Sequence, residues 1–189
     1  VIGVAGAIPW VDLIRFSPSL IHGTITLGGS QLTVYSDVII DASTLPAGIT
    51  VSGNSSSRVF EFLSDVSASI IGLTVSGGNV ANPDGEIYGG GISNRGSLVI
   101  EHSVISGNSM TGAGGGIETG NGHLYITNSS LLNNHADSGG GGIASYSTDL
   151  QLENTTIANN SSGTNAGGIR CSAYYGSPQI SLVNCMPSE

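Results

Sequence analysis

Apolar and polar residues alternate in short runs along this chain, and the runs return at a fixed distance. In "HLYIT", His123–Thr127, the residues Leu124 and Ile126 fall on one face and His123, Tyr125 and Thr127 on the other, the period of two that belongs to a strand. Leu98, Leu124 and Leu150 stand 26 residues apart; Ile105, Leu131 and Ile157 repeat that interval, as do Asn108, Asn134 and Asn160. A glycine-rich entry keeps nearly the same step, with Ile92, Ile117, Ile143 and Ile169 spaced by 25, 26 and 26. Helical spacing of apolar residues is missing throughout. Each copy holds three β-prone runs: the "GGGI" entry, a run such as "SLVIE", and a run ending "VISGN" or "TIANN". A repeat of this length built from strands predicts a solenoid. The expected fold is all-β, a single-stranded parallel β-helix of about 26 residues per coil, with neighbouring coils about 4.8 Å apart.

The flanking chain fits with looser spacing. "ASIIGLTVSGG" aligns with "LVIEHSVISGN" by placing Ile70 against Ile100 and Val75 against Ile105, an offset of 30 that the turn-rich "NVANPDGEI" absorbs. "LTVYSDVIID" and "GITVSGNSSSRVFEF" supply strands upstream, and "QISLVN" resumes the alternation after the "AYYGSP" loop, again offset by 30. Six to seven coils are expected, a rod about 30 Å long. Long, loop-bearing coils without strict hexapeptides predict right-handed winding. Residues 1–20, with Trp10 and Phe16, are expected to cap one end, and residues 21–189 to form the β-helix as a single domain. The opening "VIGVAGAIPW" is apolar but short and lacks a basic flank, which reads as the start of a mature domain or an excised fragment rather than an intact signal peptide. "QISLVNCMPSE" brings no obvious cap, and open strand edges invite end-to-end self-association.

Composition sharpens this picture. The 189 residues include 30 Gly, and the four cations are all arginines, Arg15, Arg58, Arg95 and Arg170. The vocabulary is that of strands and turns, without the residues that cover helix surfaces. A net charge of −9 excludes nucleic acid as a partner, because neutralising phosphates needs clustered cations. It disfavours an anionic membrane surface for the same reason, and no apolar run is long enough to insert as a spanning helix. Cys171 and Cys185 are the two cysteines; one disulfide or two small buried thiols both fit.

"GGGI" followed by "ISGN", "LLNN" or "IANN" resembles the paired repeats of polymorphic outer membrane proteins. "DLIRFSPSLIHGTITLGGSQLTVYSDVIIDAS" with "ITVSGNSSSRVFEF" is similar to the start of CSLREA-type right-handed β-helix domains of secreted bacterial proteins. Together these resemblances cover Asp12 to about Cys185. They imply a parallel β-helix exported to the cell surface or the extracellular space, with adhesin-like roles. The chain departs from the two patterns in lacking the CSLREA motif itself and in carrying Ile105, Leu131 and Ile157 where the outer membrane repeats have an aromatic. The wider class of pectin-lyase-like folds includes pectate lyases and polygalacturonases, so fold alone leaves an enzyme open.

Stacking turns sequence columns into a surface map. On the "SLVIE" strand the outward positions form a polar grid: Ser97, Val99 and Glu101; then His123, Tyr125 and Thr127; then Asp149, Gln151 and Glu153; then Gln179, Ser181 and Val183. Glu101 and Glu153 flank Thr127 at a backbone separation of about 9.6 Å, near the spacing an inverting glycosidase needs between acid and base. His123 beside Asp149 offers an oriented imidazole, Tyr125 a platform for a sugar ring, and Thr127 and Gln151 polar contacts. Ordinary solvated carboxylates and a cross-strand pair explain the same residues.

Asn108, Asn134 and Asn160 are expected to form a structural ladder of stacked amides where the strand ends, and the "GGGI" glycines to supply positive φ. No phosphate loop, nucleophile elbow or zinc spacing is present. No cofactor is expected, although "NNHADSGGGG" could hold a Ca²⁺ near Asp137. The sequence favours an exported, non-catalytic surface or scaffold module that binds a polysaccharide or cell-surface glycan through one face. A glycoside hydrolase using Glu101 and Glu153 is the competing class, and a polysaccharide lyase fits less well in a chain so poor in cations.

Overall fold

The structure is a computed structural model and describes residues 11–46, 48–81, 89–146, 148–173 and 179–188. Its parallel strands stack into four sheets. Sheet I has seven strands, running from Asp12–Arg15 to Ile180–Val183, and sheet II seven, from Thr24–Thr26 to Met186–Ser188. Sheet III has six, from Leu32–Val34 to Ile169–Ser172, and sheet IV four, from Asn79–Val80 to Ser161–Ser162. One coil visits Ile92–Asn94 in sheet III, Ser97–Glu101 in sheet I, Val104–Ser106 in sheet II and Ser109–Met110 in sheet IV. The chain then re-enters sheet III at Ile117–Gly120. About six coils result, a parallel β-solenoid. Helical structure among the described residues is the single 3₁₀ turn Pro18–Leu20.

The sequence columns reappear as strand register. Leu98 pairs with Leu124 and Leu124 with Leu150; Ile105, Leu131 and Ile157 are likewise direct neighbours. Ile70 opposes Ile100, Val75 opposes Ile105 and Leu150 opposes Ile180, so both 30-residue offsets hold. The fourth sheet was not expected. Its strands are two residues long, too short for an alternation to show. Within the segment expected to cap one end, Asp12–Arg15 is the first rung of sheet I against Val38–Asp41. Phe16 packs against the core, while Trp10 lies outside the described residues.

Inward columns from sheets I, II and III fill the rod. Ile70, Ile92, Leu98, Ile100, Ile105, Ile117 and Leu124 are all fully buried, and Phe60 and Phe62 stack with ring centroids 5.8 Å apart. Between the sheets the corners are turned by polar residues that also point inward. Asn108 Nδ2 donates to Asn134 Oδ1 and Asn134 Nδ2 to Asn160 Oδ1, each at 3.0 Å. The same oxygens accept the backbone N–H groups of Asn108 and Asn134, at 3.1 and 2.9 Å. The Nδ2 groups of Asn108, Asn134 and Asn160 also donate back to the carbonyls of Val75, Ile105 and Leu131. Each amide therefore satisfies buried backbone groups that no strand can reach. At the other corner Ser103, Ser129 and Thr155 donate to the carbonyls of Glu101, Thr127 and Glu153. Cys185 occupies the next place in that column, its thiol on the Val183 and Leu152 carbonyls, and both Cys171 and Cys185 are free thiols.

The turns divide their roles between neighbouring residues, and the expectation for the glycines is revised. The ladder asparagines do not take the left-handed conformation; the residue before each does, at Gly107, Asn133 and Asn159 with φ of 62°, 55° and 54°. In the glycine triplets only the first needs positive φ, as at Gly114 with φ 76°. The other two are required by contact: a Cβ on Gly116 would lie 2.6 Å from the Gly142 carbonyl oxygen and 3.1 Å from the Asn134 side chain. Glycine column and asparagine ladder are thus one packing unit.

Urea denaturation of three variants tests this division. Gly116→Ala should lose about 1–3 kcal/mol through overpacking, and Asn134→Ala about 3 kcal/mol by orphaning buried backbone groups. Gly107→Asn should change the midpoint little, because φ there is one that Asn133 and Asn159 already adopt and nothing lies within 4 Å of a Cβ on Gly107.

Candidate functional site

Sheet I carries the residues singled out for chemistry. Ser97, His123 and Asp149 share one column, Val99, Tyr125 and Gln151 the next, and Glu101, Thr127 and Glu153 the third. The anticipated grid is therefore the real one, because parallel register without slippage places residues 26 apart side by side. Glu101 and Glu153 sit two coils apart with Thr127 between them. Thr127 itself is only 8% exposed, so it spaces the carboxylates and offers little surface to a ligand.

The side chains are held by their neighbours. Tyr125 donates its hydroxyl to Glu153 Oε2 at 2.9 Å. That bond to Glu153 pushes the phenol pKa up, with smaller opposing help from Thr127. His123 Nδ1 lies 3.4 Å from Asp149 Oδ2, and the other oxygen of Asp149 accepts the Gln179 N–H at 2.8 Å. Gln151 is exposed between them. The result is a strip with a tethered aromatic, an exposed carboxamide and two carboxylates, Asp149 and Glu153, held by hydrogen bonds.

A second polar cluster, on sheet III, escaped the sequence reading. Glu61, Ser93 and Glu118 form one column, the same two-coil spacing as Glu101, Thr127 and Glu153. Ser93 is fully buried and Glu118 is 2% exposed. Ser93 Oγ donates to Glu118 Oε2 at 3.4 Å and Arg95 Nε lies 3.8 Å from the same oxygen. Burial pushes the Glu118 pKa up to about 7, although Arg95, the Ser93 hydroxyl and Arg58 pull the other way. Arg58, 9% exposed, donates to the Gly89 carbonyl at 2.9 Å and to Gln31 Oε1 at 2.6 Å. Its Nη1 lies 3.7 Å from Glu61 Oε1, and Gln31 Nε2 donates to the Glu61 carboxylate. Burial lowers the Arg58 pKa, countered by Glu61 and Glu118. An open groove of about 380 Å³ runs alongside, lined in part by Gln31, Ser57, Arg58 and Asn79. Its signal in sequence is Arg58 three residues before Glu61, with Arg95 and Glu118 beside successive "GGGI" runs; nothing in a single strand shows that the outer face of sheet III is covered.

Among the described residues no group of His, Cys, Asp and Glu is arranged to hold a metal ion. Asp137, the residue considered for calcium, accepts from His135 Nε2 at 3.0 Å. No family model, no curated protein and no solved structure matches the chain. Its fold class rests on the register itself.

Glu118 makes stability depend on pH in a definite direction. Its folded pKa of about 7 exceeds the ordinary 4.5, so between those values the folded chain holds a proton that the unfolded chain has released. Stability contributed at low pH is lost as pH rises across that window, by roughly 3 kcal/mol. Urea midpoints at pH 5 and pH 8 should differ less for Glu118→Gln than for the parent, with the variant the more stable of the two at pH 8.

Proposed function

We propose that this chain is an exported surface module that binds glycans through the outer strip of sheet I and does no chemistry there. The observation that carries the reading is the tethered Tyr125, set in fixed register beside exposed Gln151 and the carboxylates of Glu101, Asp149 and Glu153. A rigid aromatic with adjacent amide and carboxylate acceptors is suited to the apolar face and hydroxyl edge of a sugar ring, and pre-ordering it lowers the entropy lost on binding. Export is supported by the resemblance of the repeats to polymorphic outer membrane proteins and to CSLREA-type secreted domains. No helix among the described residues is long and apolar enough to cross a membrane.

The competing reading is a glycoside hydrolase with Glu101 and Glu153 as acid and base, favoured by their two-coil separation. Such an enzyme needs one carboxyl held protonated near neutral pH. Glu153 is instead engaged as the acceptor of the Tyr125 hydroxyl at 2.9 Å, an arrangement that makes binding the better account of sheet I.

A glycan array followed by calorimetry on its hits tests the proposal. Tyr125→Ala should weaken binding at least tenfold, the loss of one stacking contact. Reducing-end release from the bound glycan that disappears in both Glu101→Gln and Glu153→Gln would replace the binding module with the hydrolase.

A further inference from the structure

Sheet IV joins three side chains that the glycan strip does not use. His135 and Ser161 are direct partners on adjacent rungs, and Asp137 follows His135 by two residues. His135 Nδ1 lies 2.9 Å from Ser161 Oγ, and His135 Nε2 lies 3.0 Å from Asp137 Oδ1. A carboxylate only accepts, so in the neutral form of the ring the proton sits on Nε2 and Nδ1 is left as an acceptor. The Ser161 hydroxyl must then be the donor. That polarity is the one a base-activated nucleophile requires.

The backbone fixes all three. His135, Asp137 and Ser161 donate their N–H groups to the carbonyls of Asn108, Met110 and Asn134 at 2.9, 3.0 and 2.9 Å. The residues immediately before His135 and Ser161 are the ladder amides Asn134, fully buried, and Asn160, half-buried, so the reacting pair sits directly on the hydrogen-bonded corner of the coil. All three side chains face solvent. A ladder that served only to join coils would repeat its residue from rung to rung, as the asparagines do. Here the column reads Asn79, Ser109, His135, Ser161, and the trio occurs on one pair of rungs.

We propose that Ser161 is a nucleophile, His135 its general base and Asp137 the residue that positions the imidazole, and that the trio transfers acyl groups from activated esters to water. Relative to the serine-protease arrangement the serine and the carboxylate have exchanged ring nitrogens, which leaves the chemistry unaltered. Ser161 Oγ bonds to the acyl carbon while its proton passes to His135 Nδ1. Collapse breaks the ester C–O bond, and the departing oxygen takes that proton from His135. Water then adds to the acyl-serine with His135 accepting its proton, the carboxylic acid leaves, and the proton returns to Ser161 Oγ.

The substrate class follows from what the site lacks. The N–H groups of Ser161 and Gly163 are committed to the carbonyls of Asn134 and Ala136, so they are not available to an oxyanion. A donor of that kind is worth about 10²–10³ in rate. The trio is accordingly matched to short acyl groups on good leaving groups, such as aryl esters.

The test is reaction of the intact chain with an alkyl fluorophosphonate, whose fluoride Ser161 Oγ would displace, mapped by peptide mass spectrometry, with hydrolysis of p-nitrophenyl acetate measured alongside. Expected are an adduct on Ser161 in preference to other serines, its loss in Ser161→Ala, and labelling slowed about a hundredfold in His135→Ala, the low end of what general-base assistance supplies. Asp137→Ala should slow labelling and Asp137→Glu should recover most of it. Ester hydrolysis should fall in step. No adduct on Ser161, labelling spread across serines or indifferent to His135→Ala, or ester hydrolysis unchanged in Ser161→Ala would each overturn the proposal; the exposed positions of the three residues keep the fold intact in every variant, which circular dichroism checks.

Discussion

Everything in this rod depends on satisfying the backbone where a coil turns a corner. Strands satisfy themselves through the coils above and below, but a corner takes peptide groups into the interior at an angle no ladder bond can reach, and an unpaired buried amide costs about 1–3 kcal/mol. The chain meets this with inward polar columns, asparagine at one corner and serine or threonine at the other. An asparagine amide has both a donor and an acceptor, so each copy satisfies a backbone N–H and a backbone carbonyl of the coil before it while bonding to the next amide in the stack. A leucine at Asn134 would fill the space and take away the bonds that Asn134 gives to the Asn108 N–H and the Ile105 carbonyl.

That solution imposes the glycines. With a planar amide stacked at every corner, the incoming strand must pass so close that a Cβ at Gly91 would lie 2.9 Å from the Asn108 amide and at Gly116 3.1 Å from that of Asn134. Ladder and glycine column fix register to the residue, and fixed register is what allows outward side chains to be placed. Tyr125 reaches Glu153, His123 reaches Asp149 and His135 reaches Ser161 because each pair is one coil apart with no slippage. The outer surface of a solenoid is in this sense a consequence of its corners.

The charged cluster on sheet III works against the same economy. Glu118 and Arg58 are buried at a desolvation cost that their mutual attraction only partly offsets. The next rung does without it: Ala144 takes the place of Glu118 in that column. Polar burial at the corners is repeated and neutral, whereas here it is local and ionic, and it holds the rim of the groove beside Arg58.

The sequence by itself determined the period, the strand class, the inward columns and the polar strip of sheet I, because a parallel stack with a constant repeat maps sequence distance directly onto space. It also placed Glu101 and Glu153 on either side of Thr127. Only the tertiary structure decided which polar residues are buried and in which direction they bond. Asn134 and Asn133 are adjacent and chemically identical, yet one stacks inside and the other turns the chain with positive φ. Glu118 and Glu101 both follow strand patterns with an outward position, yet one is sealed and the other is half-exposed. His135 and Ser161 meet on strands too short to announce themselves. Periodicity reports the spacing of side chains along one strand; what covers a strand, and which atom faces which across coils, is settled by the packing of all the coils together.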